Sequence, residues 1–270
     1  MTIAFLGGGN MANALIGGLI ARGFPGGDIA VIEISPAARE RIAAAHGVHV
    51  SAAPDAVSAK ADTLVLAVKP QDARAALAAV ASSVRGKLVI SIAAGLRLAA
   101  LSRWLGGHRS LVRCMPNTPA LVGAGITGLY ALPEVTTAER ERAQRILGAV
   151  GEVVWLNDER LLDTVTAVSG SGPAYVFWLM EQLAQFAERA GIGRAEALKL
   201  AMHTVLGSAK LAAQGGEPPA ELRARVTSKG GTTEAALRVF GEEELAERFA
   251  RALAAASARG GELGDELAKD

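Results

Sequence analysis

The stretch Thr2-Ile-Ala-Phe-Leu-Gly-Gly-Gly-Asn-Met-Ala12 decides the fold of the first half of the chain. Its apolar beginning predicts a strand, and the periodicity that starts near Met11 predicts a helix immediately afterwards. Between them lies the pattern G-x-G-x-x-A, in which Gly7 permits a tight turn and Gly9 lets the backbone approach a pyrophosphate. Ala12 permits close helix–strand packing, and the phosphates bind the free N–H groups at the start of the helix. The stretch therefore predicts dinucleotide binding.

Outside this unit, the first half of the chain alternates short apolar runs with helical patterns. Thr63–Val68 is apolar throughout, which is typical of a strand covered on both faces. Strands that alternate with helices through right-handed crossovers predict a doubly wound, Rossmann-type parallel sheet. The predicted strands are Thr2–Leu6, Ile29–Ile34, Val48–Ser51, Thr63–Val68, Leu88–Ile92, Ser110–Met115, Ile126–Ala131 and Val153–Leu156, and the helices between them are Met11–Ala21, Pro36–Ala45, Asp72–Ala81, Leu98–Leu105 and Thr137–Leu147.

The pattern changes after about residue 158, where Ala/Leu-rich helices replace the strand–helix alternation. We expect an α/β Rossmann-type domain over residues 1–158 and an all-α dimerisation and substrate-binding domain over residues 159–270. Residues 262–270 are polar, and we expect them to fray. The predicted helices of the second domain are Leu161–Val168, Ala174–Ala190, Arg194–Gln214, Ala220–Arg225, Thr233–Phe240 and Glu243–Ala268.

Composition excludes several classes of function. The formal net charge of the 270 residues is +1, which gives no support for a nucleic-acid or membrane-surface partner. One cysteine, Cys114, and four scattered histidines make neither an internal disulfide nor a metal-ligand cluster, so no metal is expected. The N-terminus lacks the features of a signal peptide, and no apolar stretch is long enough to span a bilayer. We therefore expect a cytoplasmic protein.

Polar residues follow several of the predicted strands, at the sheet edge where ligands bind in this fold. Glu33 ends the second strand, where a carboxylate accepts hydrogen bonds from a ribose. Lys69 follows the fourth strand in Ala67-Val-Lys-Pro70, and Ser91-Ile-Ala-Ala-Gly95 ends the fifth with small residues that leave room for a flat ring. Asn117 lies in the proline-stiffened loop Arg113–Pro119. Each of the last three segments has an alternative interpretation. Lys69 would be a solvated lysine, Ser91–Gly95 would serve tight packing, and the loop Arg113–Pro119 would be an ordinary turn.

Two further segments, both in the helical half, combine glycine with hydroxyl side chains. They are Ser169-Gly-Ser-Gly-Pro-Ala174 and Val226-Thr-Ser-Lys-Gly-Gly-Thr-Thr-Glu234. Each precedes a predicted helix, so each offers backbone N–H groups and hydroxyls to a small carboxylate. Helix capping uses the same residue types, but a single cap does not need Ser-x-Gly-Gly-Thr-Thr.

Together and in this order, these segments resemble pyrroline-5-carboxylate reductases over nearly the whole chain. The resemblance implies reduction of 1-pyrroline-5-carboxylate to L-proline with NADPH or NADH. It also implies a homodimer of intertwined helical domains, sometimes assembled into a decamer. Lys229 departs from the family, which often has proline before the double glycine. The matching stretches are Phe5–Ala12, Ala67–Pro70, Ser91–Gly95, Arg113–Pro119, Val168–Tyr175 and Val226–Thr233.

The resemblance also implies residue roles. Gly7, Gly9, Asn10 and Met11 would hold the pyrophosphate, and Lys69, Ala93 and Gly95 would flank the nicotinamide-side ribose and ring. The complete set of expected cofactor residues is Gly7, Gly9, Asn10, Met11, Glu33, Ser35, Ala67, Lys69, Ala93, Gly95 and Asn117. The expected substrate-binding residues are Ser228, Gly230, Gly231, Thr232 and Thr233.

The chemistry of C=N reduction agrees with this inventory. Carbon receives a hydride and nitrogen a proton, and a cyclic imine can arrive already protonated, so no strong catalytic acid is obligatory. Thr233 is the expected catalytic residue, because its hydroxyl can hydrogen-bond the ring nitrogen and relay its proton. Glu33 would repel the additional phosphate of NADP, whereas Ser35 and the helix N-terminus would attract it. We therefore expect both NADPH and NADH to be used.

Two alternatives keep the fold and change the function. An imine or β-hydroxyacid-type reductase would act on another substrate, but the hydroxyacid enzymes need a lysine or similar acid–base group on the interdomain helix. The sequence has no lysine between Asp158 and Ala190. A non-catalytic dinucleotide-binding protein would need only the first domain, and the polar segments of the helical half argue against it.

Overall fold

A computed structural model describes residues 1–269, which form two compact units. The first comprises Met1–Ser171 and the C-terminal residues from Ala256 on, and the second comprises Gly172–Ala255. The expected boundary after residue 158 lies within the first unit, shortly before the helix that begins at Leu161.

The first unit is built on an eight-stranded sheet with the order β3-β2-β1-β4-β5-β6-β7-β8. The chain adds β2 and β3 on one side of β1 and then crosses to the other side, where it adds β4. The place between β1 and β4 is therefore the switch point where ligands bind in open α/β sheets. The strands are β1 (Ile3–Leu6), β2 (Ile29–Ile32), β3 (His49–Ser51), β4 (Thr63–Leu66), β5 (Leu88–Ser91), β6 (Leu111–Met115), β7 (Gly125–Ala131) and β8 (Gly151–Trp155).

The sequence led us to expect a sheet that is parallel throughout, but one pair of strands is antiparallel. Strand β7 runs antiparallel to β6, with Arg113 opposite Tyr130, whereas β8 runs parallel to β7. Only residues 116–124 connect β6 to β7, and they contain a 3₁₀ turn over Thr118–Val122. A parallel pairing needs a crossover of a dozen or more residues, so this short connection makes the strand turn back.

Helices cover both faces of the sheet, which explains the unbroken apolar runs in its strands. Ile3 and Phe5 of β1 pack into the apolar core on one face, and Ala4 and Leu6 pack into the core on the other. Successive side chains of a strand point to opposite faces, so both must be apolar where both faces are covered. The helices of this unit are α1 (Asn10–Ala21), α2 (Pro36–His46), α3 (Ala56–Ala59), α4 (Ala73–Ala78), α5 (Leu98–Trp104), α6 (Thr137–Leu147) and α7 (Leu161–Val165).

The second unit is helical. Its small core is formed where α8 packs on α9 through Ala184, Ala197 and Ala201, while many large apolar side chains stay exposed. Across residues 1–269, no helix combines the length and the apolar character needed to cross a membrane. The remaining helices are α8 (Gly172–Arg189), α9 (Arg194–Gly215), α10 (Pro219–Arg225), α11 (Thr232–Glu242) and α12 (Leu245–Ala268).

The end of α12 belongs to the first unit. Leu267 packs against the apolar core beneath β4 and β5, and the Arg97 guanidinium lies 3.0 Å from a carboxylate oxygen of Asp265. Arg103 donates a hydrogen bond of 2.8 Å to the carbonyl of Ala268. The expectation of a frayed tail is therefore wrong as far as Ala268, because these contacts fix the helix. Asp270 lies outside the described residues.

Candidate active site

The turn after β1 has a geometry that glycine alone fits. Gly7 has φ +101°, and a Cβ placed there would lie 2.7 Å from the carbonyl oxygen of Ala67. The Gly7 N–H donates a 2.8 Å hydrogen bond to Ile32, so the turn is tied to β2 as well as to the end of β4. The tight turn expected from the sequence forms at the switch point of the sheet.

The N-terminus of α1 is open, and no side chain of its first turn is acidic. Gly9 is the exposed N-cap and supplies no side-chain acceptor, and the first turn has no acidic residue. Among residues 1–269, no protein acceptor meets the N–H groups of Gly9, Asn10 or Met11. Free N–H groups at the positive end of a helix dipole fit a pyrophosphate. A dinucleotide therefore suits the residues present at this turn.

Both carboxylate oxygens of Glu33 accept hydrogen bonds from the backbone. One accepts from the N–H of Gly8 and the other from the N–H of Ser35, each at 2.8 Å. Arg39 reaches back along α2 and donates to the carbonyls of Glu33 and Ile34 at 2.9 and 2.8 Å. Arg39 is thus held beside the end of β2.

Ser35 caps α2 as its sequence predicts. The Ser35 hydroxyl oxygen accepts from the N–H of Ala38 at 3.4 Å, and Pro36 takes the first helical position. The hydroxyl and the start of α2 therefore lie beside Glu33. The carboxylate that would repel the additional phosphate of NADP is thus next to the groups that would attract it.

The residues at the ends of β4 and β5 differ in exposure. Lys69 is exposed and Ala67 is half-buried, whereas the methyl group of Ala93 is buried in the apolar core. Ala93 can therefore meet a ligand only through its backbone. The neighbouring Ala94 is exposed, and Gly95 has φ +77°.

A cavity of about 380 Å³ lies at the ends of β4 and β5, within the first unit. Helix α12 forms one wall and approaches Gly95 closely, because a Cβ on Gly264 would lie only 3.1 Å from the Gly95 carbonyl oxygen. The residues that line the cavity are Pro70, Gln71, Ala94, Gly95, Asp163, Thr166, Gly260, Leu263, Glu266 and Leu267.

Next to this cavity, the buried guanidinium of Arg113 organises a network that joins three elements. Arg113 of β6 pairs with Glu159 at 3.2 Å and with Asp163 of α7 at 3.3 Å, and its side chain is 3% exposed. Arg97 approaches the other oxygen of Asp163 at 3.6 Å. Glu159 also accepts a 2.8 Å hydrogen bond from the N–H of Leu98. A buried charge needs such partners, so this network fixes α7 and the start of α5 beside the cavity.

Two segments that were expected to contribute to the site are held by internal hydrogen bonds. The Asn117 side-chain oxygen accepts from the N–H of Ile126 at 2.9 Å and so fixes the loop before β7. The segment that starts at Ser169 is not the open connection that we expected. Thr166–Gly170 forms a π-helical turn that leads into α8, and the Ser169 hydroxyl donates to the carbonyl of Val165 at 3.0 Å. Its hydroxyl is thus already engaged.

The expected substrate residues share one loop of the second unit. Gly230 has φ +72° and donates its N–H to Glu234 at 2.7 Å, while Gly231 donates to the carbonyl of Ser228 at 3.0 Å. The N–H groups of Thr232 and Thr233 open α11 and have no protein acceptor among residues 1–269. This arrangement can accept a small carboxylate at a helix N-terminus.

Cys114 is excluded as a nucleophile. It is buried in β6, and burial raises the pKa of its thiol far above its ordinary range. In the described part of the chain, no group of three or more His, Cys, Asp or Glu side chains is arranged to hold a metal ion.

Sequence reasoning missed several residues of this region. Gly8 and Asn13 contact the glycine turn directly, Ala94 replaces Ala93 as the exposed side chain, and Asp163 and Thr166 line the cavity. Only Gly8 carried a signal, since a third consecutive glycine exceeds what the fingerprint requires. The other four residues look like ordinary helix or loop residues until the sheet brings them together.

Two family models match the chain. Residues 159–263 match the family described as pyrroline-5-carboxylate reductase dimerisation. Residues 2–95 match the family described as NADP oxidoreductase, coenzyme F420-dependent. The two matches fall on the helical half and on the glycine-turn half respectively.

Curated relatives match over nearly the full length. The pyrroline-5-carboxylate reductase of Pseudomonas aeruginosa is 46% identical over 266 residues, which cover 98% of this chain and 97% of the relative. The enzyme of the same name from Escherichia coli is 41% identical over 247 residues, which cover 89% and 90%.

Solved structures agree with these relatives. The pyrroline-5-carboxylate reductase of Coxiella burnetii superposes with a TM-score of 0.93 at 40% identity, covering 97% of this chain and 98% of the other. The Plasmodium falciparum enzyme, solved with NADP bound, gives 0.85 at 26% identity over 98% of both chains. An imine reductase from Streptomyces aurantiacus gives 0.58 at 15% identity over 98% and 95%, which shows the fold alone.

Proposed function

The chain belongs to the pyrroline-5-carboxylate reductase family, and from this premise we propose how its residues reduce 1-pyrroline-5-carboxylate to L-proline. The reaction is an NAD(P)H-dependent reduction, the final step of proline biosynthesis. The observation that carries the residue roles is the open N-terminus of α1, whose free N–H groups lie beside Glu33 at the switch point of the sheet.

The residues of the glycine turn bind the dinucleotide. Gly7 shapes the turn, and the N–H groups of Gly9, Asn10 and Met11 hold the pyrophosphate. Glu33 and Ser35 receive the adenine-side ribose and, in NADP, its additional phosphate. Ala67, Lys69, Gly95, Asn117 and the backbone of Ala93 border the nicotinamide end.

The substrate loop positions the imine. The N–H groups of Thr232 and Thr233 and the hydroxyl of Ser228 bind the substrate carboxylate, and Gly230 and Gly231 let it approach the backbone. When bound, NADPH or NADH supplies the hydride that adds to the carbon of the C=N bond, while the nitrogen takes a proton. Thr233 hydrogen-bonds that nitrogen and relays its proton. The contribution of the protein is orientation and exclusion of water, so no strong acid is needed.

The assembly follows from the helical half. The dimerisation model covers residues 159–263, and self-association is therefore part of the family. We infer a homodimer, with the decamer of the resemblance as a further assembly, in the cytoplasm. The exposed apolar side chains of α8, α11 and α12 support it, since together they line an apolar groove of about 710 Å³ in the second unit.

The test of the reaction is direct. Purified protein should oxidise NADPH or NADH only when pyrroline-5-carboxylate is added, and the product should be proline by amino-acid analysis. Protein that binds NADPH in a fluorescence titration but forms no proline would instead be a non-catalytic dinucleotide-binding protein. Turnover of other cyclic imines without proline formation would indicate an imine reductase of the same fold.

A further inference from the structure

Gly8 is held from three sides, although the fingerprint leaves this position free. Its N–H donates to Glu33 at 2.8 Å, and its carbonyl oxygen accepts from the Asn13 amide at 2.8 Å. Its third side meets Ile42 of α2, where an added Cβ would collide with the Cδ1 methyl group. The conformation of the glycine turn is therefore set by side chains outside it, which come from the residue that follows β2, from α1 and from α2.

Asn13 binds two consecutive carbonyls of the turn. Its side-chain nitrogen donates to the oxygen of Gly8 at 2.8 Å and to the oxygen of Gly9 at 2.9 Å. The backbone N–H of Asn13 also donates to Gly9, at 3.0 Å. Only the NH₂ end of the amide can serve two carbonyls, so the side-chain oxygen must point the other way.

His46 meets that oxygen. Its Nε2 lies 3.3 Å from the Asn13 Oδ1, at the last residue of α2. Because Oδ1 can only accept, Nε2 must carry a hydrogen, which assigns the tautomer of the ring. Gly17 makes room for this contact, since a Cβ there would lie 3.3 Å from the His46 Cε1. The ring, the amide and the two carbonyls form one chain of hydrogen bonds.

We propose that Asn13 and His46 are positioning residues for the dinucleotide, which act by holding the carbonyls of Gly8 and Gly9 in place. This inference rests on the proposed role of the turn in binding the pyrophosphate. Carbonyl oxygens carry partial negative charge and would repel phosphate if the turn relaxed toward it. Binding them to an amide keeps the neighbouring N–H groups of Gly9 and Asn10 free for the ligand, and it fixes this arrangement before binding.

The first test measures dinucleotide affinity by calorimetry, without substrate. Asn13→Ala should raise the Kd for NADPH about tenfold, because two hydrogen bonds are lost at a partly exposed site. Asn13→Asp should raise it further, since a carboxylate repels both carbonyls. KM for pyrroline-5-carboxylate at saturating NADPH should change less than twofold. The control is Gln144→Ala, which removes one amide contact, to Trp155, elsewhere in the unit.

A second pair of variants separates positioning from packing. His46→Gln retains a donor for Asn13, whereas His46→Phe retains a ring without one. Glutamine should leave the Kd for NADPH near the wild-type value, and phenylalanine should raise it about threefold, in line with one hydrogen bond. This pair also decides the proposal if Asn13→Ala does not fold.

Two outcomes overturn different claims. Folded Asn13→Ala that binds NADPH within twofold of wild type, or equal affinities for the two His46 variants, would refute the positioning role. Wild-type protein that binds no NADPH at all would instead refute the proposed function.

Discussion

Glu33 has two tasks that compete at the scale of a single residue. Its carboxylate supports the glycine turn through Gly8 and the start of α2 through Ser35, so both oxygens are engaged before any ribose arrives. Each oxygen retains further lone pairs, which leaves room for a ribose hydroxyl. The sequence predicted the ribose contact alone, because a carboxylate near this position after the fingerprint is what that motif specifies. The two backbone contacts depend on folded geometry and had no sequence signal.

Glu33→Ala should therefore lower affinity for both dinucleotides and raise the kcat/KM ratio of NADPH to NADH. The repulsion of the additional phosphate disappears together with the ribose contact, and NADH loses more. Steady-state kinetics with both dinucleotides measures the ratio. Glu40→Ala is the matched control, since Glu40 is an exposed carboxylate of α2, the helix that follows Glu33. An unchanged ratio would place Glu33 away from the ribose.

Thr233→Ala should lower turnover more than it weakens NADPH binding. One hydrogen bond that strengthens in the transition state is lost, which should reduce kcat about tenfold to a hundredfold. Thr233→Ser keeps the hydroxyl and should recover most of the rate. Stopped-flow or steady-state assays give kcat, and fluorescence titration gives the Kd. Full activity of Thr233→Ala would remove this residue from the mechanism.

Cys114 should be inert toward thiol reagents in the folded protein. Burial raises the pKa of its thiol, so the thiolate, which is the form that attacks such reagents, is almost absent at neutral pH. Ellman's reagent should label native protein much more slowly than protein in denaturant. Rapid labelling of the native state would contradict the burial of β6. This burial agrees with the predicted strand Ser110–Met115, which contains Cys114.

At the scale of elements, the network around Arg113 joins β6, α5 and α7. Its formation depends on residues at least 46 positions apart that the topology brings together. The sequence suggested a site wall from Arg113–Pro119 but could not place Glu159 or Asp163 near it. The antiparallel turn of β7 was missed for a related reason. Apolar patterning reports which residues are buried, whereas strand direction follows from the length of the connection.

Asp163→Ala should destabilise the protein by about 3 kcal/mol, because it removes one of two partners from a buried guanidinium and leaves Arg97 without that contact. Urea unfolding followed by circular dichroism gives the change in free energy. The control is Asp158→Ala, which breaks the exposed pair with Arg160 and should have a much smaller effect. Equal effects of the two variants would show that burial adds nothing to this network.

At the scale of the whole molecule, the second unit has more apolar surface than it covers. Trp178 and Phe240 are 57% and 50% exposed, and both line the apolar groove of α8, α11 and α12. Exposed patches of this kind mark interfaces. The fold class and the glycine fingerprint were readable from sequence, since they depend on local patterns. The core of the second unit could not be predicted from sequence, because most of its large apolar side chains are exposed and do not pack into that core.

Trp178→Glu should shift the protein from dimer to monomer. A charge in an apolar interface costs its desolvation without a partner, so association weakens by orders of magnitude. Light scattering coupled to size-exclusion chromatography measures the mass at micromolar concentration. Val57→Glu is the control, as Val57 is an exposed apolar residue of α3 in the other unit. A dimer that persists in Trp178→Glu would place the interface elsewhere.

The return of α12 to the first unit has a consequence for biosynthesis. A ribosome synthesises the whole second unit before it reaches Asp265 and Leu267, yet these two residues pack on the first unit. This unit is thus begun first and finished last, and the segment that closes it emerges after the whole helical unit. A chain that stops before Ala256 therefore lacks the segment that completes the first unit. In such a chain, the part of the apolar core that Leu267 covers stays open to water until synthesis reaches that residue.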